Sequence, residues 1–137
     1  MADHAPKGVG RIFWIAAILY WAALFCATHI PAPRLPPIPV TDKTAHLVSY
    51  GVLAMLLHLA LFRADRSRSS TDVAMLVLTI LLAYGAIDEW TQIPVGRSCE
   101  LADWYADAAG ASIAMVMVTL VARIRSSRSR QRPESAV

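Results

Sequence analysis

The stretch "AIDEWTQIPVGR", Ala86–Arg97, decides the fold because it shows where an apolar helix ends and the chain turns back. Its second half contains Pro94 and Gly96, two residues that stop a helix and reverse the chain. Its first half places two adjacent acids, Asp88 and Glu89, inside the apolar run. A charged side chain within a membrane helix is costly unless it faces other protein groups or water. The stretch therefore predicts a membrane helix that presents its acids to neighbouring helices.

Composition indicates that the whole chain lies in a membrane. Of its 137 residues, 56% are hydrophobic and only 17% are charged, whereas a soluble domain has about 45–50% apolar and about 25% charged residues. The formal charge is +3, but the arginines lie just beyond apolar segments, which is typical of topology signals and not of a nucleic-acid surface. We therefore expect a lipid bilayer as partner and no nucleic acid. Cys26 and Cys99 are too few for a disulfide framework; unpaired cysteines are expected, with a single bridge as the alternative.

Four apolar stretches have the length of a membrane span, at about residues 11–30, 44–62, 72–93 and 101–122. Each reaches the roughly 20 residues that a helix needs to cross a bilayer core. The first is interpreted as an uncleaved helix, because its apolar run exceeds the about 7–15 residues of a signal peptide. The sequence thus predicts an all-α membrane protein whose four transmembrane helices form a compact bundle.

The distribution of lysine and arginine predicts the orientation of the bundle. Ten of the thirteen lie at the N-terminus, between spans two and three, or in the tail, and only Arg34, Lys43 and Arg97 lie on the other side. The positive-inside rule then places both termini in the cytoplasm. The predicted organisation is a cytoplasmic N-terminus (1–10), a four-helix transmembrane domain (11–122) and a basic, disordered cytoplasmic tail (123–137). The proline-rich stretch Ile30–Val40 is predicted to be an extended outer connection.

Acidic residues gather at the predicted outer ends of spans two, three and four. Residues four or eight positions apart share a helix face, and three such polar faces are present: Asp42, His46 and Tyr50; Tyr84, Asp88 and Gln92, with Glu89 beside them; and Asp103 and Asp107. They predict one outward-facing acidic pocket, in which Arg97 can pair with a carboxylate. Helix capping is the simpler explanation for Asp42 and Asp103, but it does not explain acids at the C-terminal end of span three.

Two further features allow alternative interpretations. His46, with Asp42 and a facing carboxylate, has the chemistry of a divalent-cation site, but nothing in the sequence fixes a ligand count, so no metal and no cofactor are expected. Ala106, Gly110 and Ala114 form a strip of small residues on span four, which predicts close helix packing.

Two segments together resemble a known family. "DKTAHLVSYGVLAMLL" (Asp42–Leu57) and "YGAIDEWTQIPVGRSCELADWYADAAGA" (Tyr84–Ala111) are similar to the VanZ-like family of small bacterial membrane proteins, named after a teicoplanin-resistance accessory protein. The resemblance covers roughly residues 11–122 and implies a multi-pass protein of the bacterial cytoplasmic (inner) membrane. It carries the family's polar positions onto Asp42, Lys43, His46, Tyr50, Asp88, Glu89, Gln92, Arg97, Asp103, Asp107 and Gly110. Asp107 stands where the family commonly has asparagine.

The resemblance implies no settled reaction, so three functions remain open. The first is a non-enzymatic envelope protein that alters susceptibility to a lipoglycopeptide such as teicoplanin, acting on a lipid-linked envelope component or on the glycopeptide. The second is a membrane-embedded enzyme that uses neighbouring acids as general acid and base on a lipid-linked substrate. The third, proton- or ion-coupled transport, is ranked last because the inner half of the bundle is nearly free of ionisable groups. Catalytic residues and the oligomeric state are not predicted.

Overall fold

The structure, a computed structural model, describes residues 7–31, 42–97 and 99–130. In these ranges the chain forms four α-helices and no strand: α1 (Lys7–Thr28), α2 (Asp42–Ala64), α3 (Ser70–Gln92) and α4 (Leu101–Arg130). All four are long and apolar enough to cross a membrane, and they pack together. The predicted all-α four-helix membrane fold is therefore confirmed. The predicted outer connection lies outside the described residues from residue 32 onward, as do residues 1–6 and 131–137.

The prediction of a disordered tail from residue 123 needs correction, because α4 runs on to Arg130. No proline or glycine interrupts the chain between Gly110 and Pro133, and arginine and isoleucine are compatible with a helix. The hydroxyl groups of Ser127 and Ser129 donate to the carbonyls of Arg123 and Ser126, so these serines bond within the helix. The last turns of α4 are thus a basic helical extension of the span.

The ends of α3 follow from a few residues. Ser69 has an extended backbone, and its hydroxyl accepts from the backbone N–H of Asp72 while the Asp72 carboxylate accepts from the N–H of Ser69, which forms a capping box. At the other end, a 3-10 turn (Ile93–Val95) contains Pro94 and closes on Gly96, whose φ of 77° suits glycine. The predicted turn at Pro94–Gly96 therefore ends α3, and the chain continues from it to α4.

The turn between α2 and α3 is organised by one carboxylate. Asp65 accepts hydrogen bonds from the hydroxyl and the backbone N–H of Ser67, and Arg68 lies 3.0 Å from it. These donors, the Ser67 hydroxyl first, hold the pKa of the Asp65 carboxyl below its usual range.

Helix α2 is the centre of the bundle, since it packs against α1, α3 and α4. The core at mid-height is apolar and includes Leu53, Leu57, Val77, Leu81 and Met115. Helix α1 is peripheral: only 6% of its spanning segment is buried, against 39% of α2. Large apolar side chains on the outside, such as Ile15 and Leu19 of α1, are exposed as lipid contact requires.

The helices alternate in direction, so polar groups collect at one end. We call this the polar end: it holds the C-terminal ends of α1 and α3 and the N-terminal ends of α2 and α4. The opposite end, the basic end, holds the α2–α3 turn with Arg63, Arg66 and Arg68. At the basic end, the ring of His58 contacts the carbonyl of Ser70 at 3.2 Å and links α2 to α3.

The closest helix contact joins α2 and α4 at Gly110. A Cβ placed on Gly110 would stand 2.0 Å from the carbonyl oxygen of Leu47, and one on Gly51 would stand 3.3 Å from the carbonyl oxygen of Gly110. Both obstacles are backbone atoms, which cannot move unless the helices separate. Ala114, one turn further along α4, is buried in the core, and Ala106 is half-buried. The small-residue strip thus has Gly110 at its tightest point.

Gly110→Ala is expected to lower the free energy of unfolding by about 3 kcal/mol or more, because the new methyl group collides with the backbone of α2. Unfolding of the purified protein in mixed micelles with increasing SDS measures this change. Gly10→Ala is the matched control, since its Cβ would make ordinary van der Waals contacts, 3.7 Å to the Cβ and 4.0 Å to the carbonyl oxygen of Arg63. Equal stability of the two variants would contradict the close α2–α4 contact.

Candidate functional site

Most buried polar side chains of the described part of the chain lie at the polar end. They are Thr28, His46, Asp88, Glu89, Gln92, Asp103 and Asp107, with His58 at the basic end as the exception. All four helices contribute to this set. Because lipid offers no hydrogen bonds, each of these groups needs a partner within the bundle.

His46 and Asp107 form the central pair. The Nδ1 atom of His46 lies 2.9 Å from Oδ1 of Asp107, and the two side chains are 5% and 2% exposed. The pair joins α2 to α4 beside the close contact at Gly110, which brings the two helices near enough for the side chains to meet. A buried imidazole–carboxylate pair can hold or transfer a proton.

The hydrogen-bond partner of Glu89 explains why this acid is tolerated at the C-terminal end of α3. Its Oε2 atom accepts from the backbone N–H of Glu100 at 2.9 Å, and Glu100 directly precedes α4. The carboxylate therefore lies at the N-terminal end of α4, where unsatisfied N–H groups and the helix dipole favour a negative charge. The dipole of α3 disfavours the negative charge of Glu89, but the dipole of α4 stabilises it.

Asp88 is directed towards α1, and both of its carboxylate oxygens accept hydrogen bonds. Its carboxylate accepts from Tyr84 at 3.1 Å, from Gln92 at 3.2 Å and from Thr28 at 3.3 Å. The ring of His29 lies 4.0 Å away, and its Nε2 atom contacts the hydroxyl of Thr91 at 3.1 Å. Asp88 thus links the C-terminal end of α1 to α3 by a hydrogen bond.

Lys43 and Arg97, the lysine and arginine of the polar end within the described residues, pair with the outermost acids. Lys43 Nζ lies 3.2 Å from Glu100 and 3.3 Å from Asp103, and so links the first turn of α2 to that of α4. Arg97 Nη2 lies 3.6 Å from Asp42 Oδ1. The predicted pairing of Arg97 with a carboxylate is thus present, and its partner is Asp42 on α2.

Aromatic side chains separate the polar cluster from the apolar core. Tyr50 is fully buried and stacks on Tyr84, with ring centroids 6.0 Å apart, and Tyr84 meets the ring of Trp21 edge-on at 4.9 Å. Trp104 donates from Nε1 to the carbonyl of Leu82 at 3.0 Å. The cluster therefore rests on aromatic rings that come from all four helices.

The predicted convergence holds for some residues and needs correction for others. His46, Glu89 and Asp107 come together from α2, α3 and α4, as the helical spacing indicates. Asp88 was expected to face the same group, but its partners lie on α1 and on its own helix, because adjacent residues of a helix point about 100° apart. Arg97 was expected there too, yet it contacts Asp42 at the surface of the cluster.

Sequence reasoning missed the contribution of α1. Thr28 and His29 bring polar groups from the end of α1 to Asp88 and Thr91. The available signal was a threonine and a histidine that end an otherwise apolar span, but such residues also occur at ordinary helix ends. Only the packing of α1 beside α3 gives them a role.

A pocket of about 160 Å³ lies at the polar end between α1, α2 and the turn before α4. Its polar lining consists of Thr28, Asp42, His46, Ser49 and Arg97, and its apolar lining comes from Leu24, Ala27 and Ala45. A second pocket, of about 290 Å³, lies between α3 and the start of α4 and includes Glu89, Cys99 and Trp104. Cys26 and Cys99 are both free and exposed.

Two groups of side chains bring potential metal-ligand atoms within 4.8 Å of one another. One consists of His46, Glu89 and Asp107, all buried, and the other of Asp42, His46 and Asp103. His46 belongs to both groups, so a cation held by either group would have His46 as a ligand.

Comparison of the chain with protein-family models, with curated proteins and with solved structures finds no match.

Thr28→Val is expected to lower the free energy of unfolding by about 0.6–1 kcal/mol, because it removes a donor to the buried Asp88 while keeping the side-chain shape. Unfolding in SDS-containing micelles measures the loss. Thr79→Val is the matched control, since the hydroxyl of Thr79 bonds only to the Met75 carbonyl of its own helix. If the two variants are equally stable, the link between α1 and Asp88 contributes nothing.

Proposed function

We propose that this chain is a VanZ-like, multi-pass protein of the bacterial cytoplasmic membrane, with both termini in the cytoplasm and the polar end facing outward. The four apolar helices support a polytopic membrane protein. The concentration of arginine at the basic end supports the orientation through the positive-inside rule. The polar positions of the resembled family fall largely at the polar end, where an envelope component can reach them.

The function that the geometry supports best is non-catalytic binding of the head group of a lipid-linked envelope component, which alters susceptibility to a lipoglycopeptide such as teicoplanin. The observation that carries this proposal is the 160 Å³ pocket lined by Asp42, His46 and Arg97. The pocket has both polar and apolar lining residues, as an amphiphilic ligand requires.

Arg97 is the residue that we assign to recognition of an anionic head group. Its side chain is 13% exposed, and its ion pair with a carboxylate of the described residues is a long one, 3.6 Å to an Asp42 side chain that is itself 59% exposed. The guanidinium has five N–H donors in a planar fork that matches phosphate and carboxylate oxygens. An anionic group entering the pocket can therefore bond Arg97 beside Asp42.

A membrane-embedded acid/base enzyme acting on a lipid-linked substrate is the second candidate. The buried pair of His46 and Asp107, with Glu89 beside it, favours this alternative. Such neighbouring groups can act as general base and general acid. The two candidates differ in the residue that carries the effect: Arg97 for binding, and Glu89 for acid/base catalysis.

Arg97→Gln is expected to abolish the effect of the protein on teicoplanin, because it removes the charge that recognises the ligand. The measurements are the inhibitory concentration of teicoplanin and the binding of labelled teicoplanin to a susceptible bacterial host that expresses each variant at equal membrane level. Arg68→Gln is the matched control, since it removes an equal charge from the exposed α2–α3 turn.

A wild-type protein that leaves the host unchanged would contradict the glycopeptide role. Full activity of Arg97→Gln together with loss in Glu89→Gln would instead favour the enzyme.

Cys99 is expected to react with a membrane-impermeant maleimide in intact cells, because it is exposed at the polar end and the polar end is proposed to face outward. The variant carries Cys26→Ser, so that Cys99 is the sole thiol. As the control, Ser67→Cys in a background lacking both natural cysteines should react only after the cells are permeabilised. Labelling of Ser67→Cys but not of Cys99 in intact cells would contradict the proposed orientation and place the polar end on the cytoplasmic side.

A further inference from the structure

We propose that His46, Glu89 and Asp107 bind a divalent transition-metal cation, Zn²⁺ or Mn²⁺, at the centre of the polar end. The inference does not depend on the proposed function. Potential ligand atoms of the three residues lie within 4.8 Å of one another, and the side chains come from α2, α3 and α4. Ligands around a tetrahedral zinc ion at about 2.1 Å stand roughly 3.4 Å apart, so small side-chain rotations close the set.

The independent observation is a group of buried oxygen atoms that lack a hydrogen-bond partner. In the described part of the chain these include Oε1 of Glu89, Oδ2 of Asp107 and the hydroxyl of Tyr50, on side chains of residues that are at most 4% exposed. A buried carboxylate oxygen without a partner is costly, and such atoms are rare in folded proteins. A cation supplies the missing interaction for both carboxylates at once.

Gly85 lets three side chains of the cluster pack against the backbone of α3. A Cβ on Gly85 would stand 3.2 Å from Cδ1 of Trp104, 3.4 Å from Oδ2 of Asp107 and 3.5 Å from Cε1 of Tyr50, so the absence of a side chain here is what lets Asp107 and Tyr50 come this close. The Tyr50 hydroxyl is unpartnered and can bond a water on the ion, in the way that outer groups support metal ligands.

The charges at the polar end favour this set of ligands over the other one. In the alternative set of Asp42, His46 and Asp103, the two acids already have cationic partners in Arg97 and Lys43. Neither Glu89 nor Asp107 has a Lys or Arg partner among the ion pairs of the described residues, and His46 is the group within hydrogen-bond distance of Asp107. Two buried carboxylates beside one imidazole match a dication in charge.

The ligand types indicate the class of ion. One imidazole and two carboxylates suit Zn²⁺ or Mn²⁺ better than Ca²⁺, which prefers six to eight oxygen ligands, or Cu⁺, which prefers sulfur. Three protein ligands leave a coordination position for water, as in catalytic zinc sites. His46 also lines the 160 Å³ pocket, and Glu89 lines the 290 Å³ pocket, so both pockets border this set of ligands.

The test uses the full chain, purified in detergent, stripped with a chelator and titrated with Zn²⁺ and separately with Mn²⁺. Calorimetry is expected to show one ion per chain, with Kd in the micromolar range or below. Asp107→Asn and Glu89→Gln each remove a ligand and should weaken binding by more than about 100-fold, beyond the effect of losing an outer partner. Asp103→Asn, a buried acid one turn away on the same helix, is the matched control and should bind as wild type does.

Each contrary result overturns the assignment. If the wild-type protein binds neither ion at micromolar concentration, the cluster is held together by hydrogen bonds and not by a metal. If Asp103→Asn abolishes binding, the ligands are those of the alternative set, Asp42, His46 and Asp103. If the ligand variants fail to fold, X-ray absorption at the zinc edge of the wild-type protein decides: an imidazole and oxygen ligands are expected, and a sulfur ligand would contradict the site. Because binding is measured on isolated protein, failure here is separate from failure of the teicoplanin experiment.

Discussion

The contact between Gly110 and the backbone of Leu47 sets the distance between α2 and α4, and the buried polar end depends on it. No side chain separates the two helices at this point, so their facing residues come as near as helical backbones allow. His46, beside Leu47, and Asp107, one turn before Gly110, are therefore brought to 2.9 Å. A wider spacing would leave an imidazole and a carboxylate buried without each other, at a cost that membrane helices rarely bear.

The acids of the polar end form a graded arrangement, from exposed pairs to buried ones. Asp42 and Glu100, which are exposed, pair with Arg97 and Lys43, where water shares the interaction and its contribution to stability is small. Deeper in the bundle, Asp88 is surrounded by neutral donors. Glu89 and Asp107 have fewer partners than oxygen atoms. Their incomplete pairing distinguishes Glu89 and Asp107 from the other acids of the polar end.

The four helices could be predicted because hydropathy and length report directly on a membrane span. The joining of His46 to Asp107 could also be anticipated, since residues four apart share a face and both stand at the same end. The direction of Asp88 could not be predicted, because it depends on where α1 packs, and α1 carries no pattern that identifies its neighbour. The helical extension to Arg130 was also missed: a run rich in arginine and serine is typical of a tail, yet nothing in it breaks a helix.

The shallow burial of α1 has a consequence for how its sequence can vary. Little of this helix is buried, and lipid distinguishes poorly between isoleucine, leucine, valine and phenylalanine, so exchanges among these residues at the exposed Ile12, Ile15 or Leu19 should cost little. Constraint on this helix falls on the fully enclosed Ala17, on Trp21 and Leu24, which pack against the core, and on Thr28 at its end. Substitutions along α1 should therefore be tolerated unevenly, with the permissive positions on the exposed face and the constrained ones on the face towards the bundle.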